Sequence, residues 1–264
     1  MSNQPGSRRT ATGAVRPEVG IAAQAVARLG AIDALRGGAI VLMVCYHLGF
    51  DLAWFQLLQA DFNHDTFWLA SRALIVSMFL LVAGVSLALW DGRHRGARQF
   101  RARELRIGAC ALLVTAGSYA VFPRTFIFFG ILHFIFVASL VGSVLVRLRW
   151  KAWTYAVAGA LGVLAGTQFS QPVFDSPLLQ WIGFMTHKPS TEDYVPMFPW
   201  FGVYLLGIAA GRVLLVSPAA LKGFKGGGSM AATALAWMGR HSLAIYMLHQ
   251  PVLLGILYLL FRQL

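Results

Sequence analysis

The chain has 264 residues, of which 58% are hydrophobic and 12% charged, and its mean hydropathy is +0.65. Soluble domains carry roughly 25% charged residues, so this composition excludes an ordinary water-soluble domain and indicates an integral membrane protein. A net charge of +12 would suggest nucleic acid in a soluble chain. Here the basic residues sit in short loops between apolar runs, where they act as topology signals, and no nucleic-acid partner is expected.

In chain order, residues 1–28 are rich in Ser, Arg, Gly and Ala and read as a disordered cytoplasmic tail. Residues 29–264 read as one transmembrane domain. Seven apolar runs follow: Gly37–Leu58, Phe67–Trp90, Leu105–Phe122, Phe126–Val146, Ala152–Phe169, Phe198–Val216 and Leu243–Phe261. A bilayer-spanning helix needs about 20 apolar residues, whereas a barrel strand needs only about 10 of alternating character. The expected fold is therefore an all-α, polytopic transmembrane helix bundle of about seven spans. The first run is of full length and reads as an anchor, not as a cleaved signal. Ser229–Arg240 is too short to span and is expected as an amphipathic helix at the surface. Gly223–Ser229, GFKGGGS, reads as a flexible linker.

Charge sets the orientation. Eighteen of the 22 basic residues fall in the tail and in alternate loops, leaving Arg72, Arg124, Lys188 and Arg262 on the other side. Positive charge stays inside, so the N-terminus is expected in the cytoplasm and the C-terminus outside. The outer face then carries one long loop, Ser170–Met197, with four prolines, and a loop of that length is commonly functional. Cys45 and Cys110 both lie inside apolar runs, which argues against a disulfide framework. No metal-ligand spacing is present, and no metal is expected.

Ionisable residues at membrane depth are costly and mark function. The first span carries Arg36 at its entrance, His47 and Asp51. At 1.5 Å per residue, His47 stands about 16 Å along the helix from Arg36. Asp51 follows His47 by four residues and shares its face. A carboxylate beside an imidazole fixes its tautomer and raises its basicity, which suits a general base. His133 in the fourth span, Asp193 and Tyr194 in the outer loop, and His249 and Gln250 in the seventh span are candidate substrate-channel residues. Pro251 removes a helix donor and frees a carbonyl. Arg72 either faces Asp51 or sits at the outer interface, and the interface reading is favoured. Buried histidines also fit a proton relay, so a proton-coupled small-molecule transporter is the alternative. That architecture is commonly built from inverted repeats, which this sequence lacks.

Arg36 and His47 are separated by ten residues, and this spacing resembles the Arg-x10-His pattern of transmembrane acyltransferases. The wider run DALRGGAIVLMVCYH, with FGILHFI, DYVPMFPWFGVYLLGIAAG and MGRHSLAIYMLHQPVL, is similar to bacterial relatives of heparan-alpha-glucosaminide N-acetyltransferase. The resemblance implies an acetyl-CoA or other acyl-CoA donor on the cytoplasmic side. It implies an extracytoplasmic acceptor, an amino sugar or envelope glycan, and a location in the bacterial inner membrane. It also implies that His47 is the catalytic histidine and that Arg36 helps hold the donor. The chain departs from the lysosomal enzyme in being shorter, with fewer spans and no large lumenal domain.

Overall fold

The computed structural model describes residues 17–91, 96–216 and 229–261, with side chains described from residue 30 onward. Arg8, Arg9, Arg16, Arg93, Arg95, Lys222, Lys225 and Arg262, and most of the glycine-rich linker, lie outside the described residues, as does the tail up to residue 16. The rest of the expected tail is helical, as the first part of α1.

Eight α-helices are present among the described residues: α1 Pro17–Trp54, α2 Thr66–Asp91, α3 Ala97–Val121, α4 Ile131–Arg147, α5 Ala152–Gln168, α6 Met197–Val216, α7 Met230–Arg240 and α8 Ser242–Phe261. Five of them, in α1, α2, α3, α6 and α8, are long and apolar enough to cross a membrane. Helices α4 and α5 have 17 residues each, the lower limit for a span. The exterior is apolar: Leu105, Leu112 and Leu259 stand more than two-thirds exposed. Such a surface suits lipid and not water. The molecule is an all-α membrane helix bundle.

Several boundaries differ from expectation, each for a local reason. Helix α1 ends at Trp54, not Leu58. Gln56 takes a left-handed φ of 60°, its N–H reaches Ala53 O at 3.0 Å, and the Leu57 N–H reaches Leu52 O at 2.8 Å. This is a Schellman termination, formed here without glycine. Helix α3 begins at Ala97, eight residues before the expected start, so Arg101, Arg103 and Glu104 are helical and not loop residues. Glu104 is buried between α3 and α4, paired with Arg103 and Ser139.

Helix α4 begins at Ile131, because residues 125–129 pair with the outer loop instead. The Glu192 N–H bonds Thr125 O at 2.9 Å and the Val195 N–H bonds Phe129 O at 3.1 Å. Phe129 and Tyr194 form a parallel bridge. The long Ser170–Met197 loop is thus folded onto the bundle.

The core gathers Leu80, Phe134, Ala138, Tyr204 and Ile208 from α2, α4 and α6. Small residues allow close helix approach, as is usual in membranes. A Cβ on Gly37 would overlap the Leu235 carbonyl, and one on Gly239 would overlap the Asp33 carbonyl. Helix α7 is therefore not a free surface helix; Ala236 and Gly239 are buried, with Gly239 against the Asp33 backbone of α1, while Trp237 stays exposed. Where α2, α4 and α6 approach their ends, Arg212 of α6 bonds Asp91 at 3.2 Å and Val146 O at 2.6 Å, which ties α6 to α2 and α4.

Candidate active site

Helices α1 and α8 run side by side in the same direction. Ile40 and Met43 pack with Ile245 and Tyr246, and one to two turns further along both helices the polar residues meet. The His47 and His249 rings lie 5.0 Å apart, centroid to centroid. The Gln250 side-chain amide donates to Asp51 Oδ1 at 2.7 Å. Aromatic rings flank the pair: Tyr46 is 5.9 Å from His47 and Tyr246 is 5.5 Å from His249. Residues 199 positions apart in sequence thereby form one polar cluster inside an apolar contact.

The hydrogen bonds of the cluster fix its chemistry. His249 Nδ1 lies 2.6 Å from the Tyr246 carbonyl. A carbonyl only accepts, so Nδ1 carries the proton and Nε2 holds a lone pair. That Nε2, together with Asp51 Oδ2 and Gln250 Oε1, is buried without a hydrogen-bond partner. Buried polar atoms are normally paired, and each exception calls for an explanation. All three of these atoms are acceptors. Among the described residues, the imidazole of His47 makes no hydrogen bond. Pro251 follows Gln250 inside α8 and brings no N–H, so the Met247 carbonyl has no donor four residues ahead.

The expected pairing of Asp51 with His47 is replaced. Asp51 is 2% exposed and its hydrogen bond goes to Gln250, so the carboxylate anchors α8 to α1. Sequence spacing placed Asp51 on the face of His47 but could not show which helix would offer it a donor. Tyr246 and Tyr46, which wall the cluster, looked like ordinary membrane aromatics in the sequence.

The other channel candidates divide. His133 is taken up locally: its Nδ1 accepts the Gly130 N–H at 3.3 Å and its Nε2 lies 3.0 Å from the Thr115 hydroxyl. It holds the start of α4 and joins it to α3. The Tyr194 hydroxyl donates to Gln180 O at 2.5 Å and organises the outer loop. Asp193 connects to the cluster. Its carboxylate accepts the Ile131 N–H at 3.0 Å and bonds the Tyr246 hydroxyl, one turn before His249. Burial pushes the Asp193 carboxyl up, while the Ile131 N–H, Tyr246, Lys188 and Arg72 pull it down.

Arg36 lies on α1, eleven residues before His47. Its guanidinium donates to Asp33 Oδ1 at 2.9 Å and to Ser86 Oγ at 2.8 Å. Five donors are available on a guanidinium, so two bonds orient the group without exhausting it. Its side chain is 26% exposed.

A search of curated proteins found no match, and neither did a search of solved structures. The family model described as heparan-alpha-glucosaminide N-acetyltransferase, catalytic, matches residues 28–251. That match spans α1 to the middle of α8 and takes in Arg36, His47, Asp51, His249 and Gln250. The chain belongs to the heparan-alpha-glucosaminide N-acetyltransferase catalytic family of membrane acetyltransferases.

Proposed function

We propose that the protein transfers an acetyl group from a cytoplasmic acyl-CoA to an amine on an extracytoplasmic acceptor, an amino sugar or envelope glycan. The observation that carries this reading is the set of three unpaired buried acceptors beside two histidines. A hydroxyl brings one donor to such a site, whereas an amine brings two or three. The cluster suits a nitrogen nucleophile better than an oxygen one.

In this reading α1–α6 and α8 are the seven spans, the N-terminus is inside and the C-terminus outside. Arg36 holds a donor phosphate from the inner side, since a guanidinium pairs with phosphate in a charge-assisted manner. Asp51 Oδ2, Gln250 Oε1 and His249 Nε2 orient the amine. His47 takes the proton as the nitrogen attacks the thioester carbonyl. The new C–N bond forms, the C–S bond breaks, and the proton passes to the departing thiolate. A second route puts the acetyl group on the His47 ring first and transfers it to the amine next. Both routes use the same groups, and single-turnover labelling in the absence of acceptor separates them.

The test is acetyl transfer in proteoliposomes with labelled acetyl-CoA on the cytoplasmic side and glucosamine on the other. Labelled N-acetyl product formed only when both substrates are present supports the reading. Labelled donor left unconsumed, together with concentrative uptake of unmodified sugar driven by a proton gradient, would favour transport instead.

A further inference from the structure

Asp51 is a carboxylate inside a membrane-spanning helix, and it is only half satisfied. It is 2% exposed. Its Oδ1 takes the Gln250 amide N–H at 2.7 Å, while Oδ2 is buried without a partner. Among the described residues, Asp51 belongs to no ion pair. A buried charge left unpaired is strongly destabilising, and carboxylates within spans normally have a partner. Gln250 turns its Nε2 toward Asp51, which leaves Oε1 as a second unpaired acceptor. His249 Nε2 is the third, because Nδ1 faces the Tyr246 carbonyl at 2.6 Å. The cluster thus offers three unpaired acceptors, one of them on an anion. A neutral amine brings two N–H donors and a lone pair that none of the three can meet. A primary ammonium brings three donors, no acceptor and one positive charge. It matches the three atoms in number and Asp51 in charge.

We propose that the cluster captures its acceptor as a primary ammonium ion, with Asp51 as the counter-ion that selects the charged form. This inference rests on the reading that the acceptor is an amine. An ammonium has no lone pair, so one proton must leave before attack. That proton passes to His249 Nε2, which is free to accept it, and the nitrogen lone pair then attacks the thioester carbonyl. The second proton goes to His47 and on to the departing thiolate. The proton on His249 leaves with the product. One ammonium and one thioester therefore give one amide, one thiol and one proton. The amide product is neutral and carries a single N–H, so it loses the charge pairing that held the substrate and is released.

The experiment measures binding by calorimetry, on the full chain in phosphatidylcholine nanodiscs at neutral pH, apart from any turnover. The probes are glucosamine, glucose and 2-deoxy-2-hydroxyaminoglucose, whose nitrogen keeps its donors but is mostly uncharged at that pH. Charge-assisted hydrogen bonds are the strong ones, so glucosamine is expected to bind about ten- to a hundredfold more tightly than either neutral sugar. Asp51→Asn keeps an oxygen for Gln250 and removes the charge, and in it that preference falls toward one. Should Asp51→Asn fail to fold, the comparison of the charged and uncharged nitrogen sugars on the wild type decides alone. Acetyl transfer is assayed in parallel. A charge preference that Asp51→Asn abolishes, with no sugar acetylated, leaves the ammonium site standing and sinks the transfer reading. Acetylation of glucosamine, with the hydroxyamino sugar bound equally well or with Asp51→Asn binding glucosamine within a few-fold of wild type, overturns the ammonium site alone. Neither preference nor acetylation overturns both.

Discussion

Replacing Gln250 by Leu removes the donor that joins α8 to the buried carboxylate of Asp51. The bond is 2.7 Å long and Asp51 is 2% exposed, so water does not replace it freely. Interhelical hydrogen bonds in membrane bundles average about 0.6 kcal/mol and reach about 1.7. A charged acceptor puts this one at the upper end, and the expected loss is about 1.5 kcal/mol in a detergent-unfolding titration. The effect on turnover exceeds the effect on stability. The same bond sets the spacing of His47 and His249, and a misplacement of about 1 Å can cost about 10²-fold in rate. Acetyl transfer from labelled acetyl-CoA, measured at matched membrane abundance, should therefore fall by one to two orders of magnitude. Unchanged unfolding and near-wild-type turnover in Gln250→Leu would refute the idea that this bond organises the cluster.

Arg36→Ala should weaken acyl-CoA binding in calorimetry and Arg36→Lys should restore it only partly, because an ammonium lacks the bidentate fork; unchanged affinity in Arg36→Ala would remove Arg36 from the donor site. Gly239→Val should destabilise the packing of α7 on α1, since the added side chain collides with the Asp33 carbonyl, where overpacking costs about 1–3 kcal/mol; a wild-type melting temperature would contradict that contact. Reporter fusions after Trp90 and after Phe261 should give opposite readings, cytoplasmic and external, and identical readings would rule out the seven-span topology.

The helical membrane class was legible because hydrophobic run length is a strong signal, and the second, fifth, sixth and seventh runs match their helices within one residue at both ends. Boundaries failed where backbone pairing overrode hydropathy. Residues 126–130 are as apolar as a span, yet they bridge to the outer loop. Leu57 and Leu58 are apolar too, yet the left-handed Gln56 ends α1 before them. Of the site, Arg36, His47 and Asp51 were legible as a line along one helix, since costly polar residues at membrane depth stand out. His249 and Gln250 were visible as polar residues in an apolar run, but their partners were not. Which helix supplies a hydrogen bond is decided by packing between segments far apart in sequence, and helical periodicity carries no information about that. For the same reason His133 looked equivalent to His249, although Thr115 and Gly130 occupy both of its nitrogens.

The central claim is that His47 does the chemistry, and its direct test is acetyl transfer by His47→Ala in reconstituted vesicles. The variant should insert with wild-type abundance and bind acyl-CoA, because Arg36 remains in place. General base catalysis contributes typically about 10²–10⁴-fold. Turnover is therefore expected to fall by at least that factor, with labelled acetyl-CoA left unconsumed. Turnover within a few-fold of wild type would contradict the account.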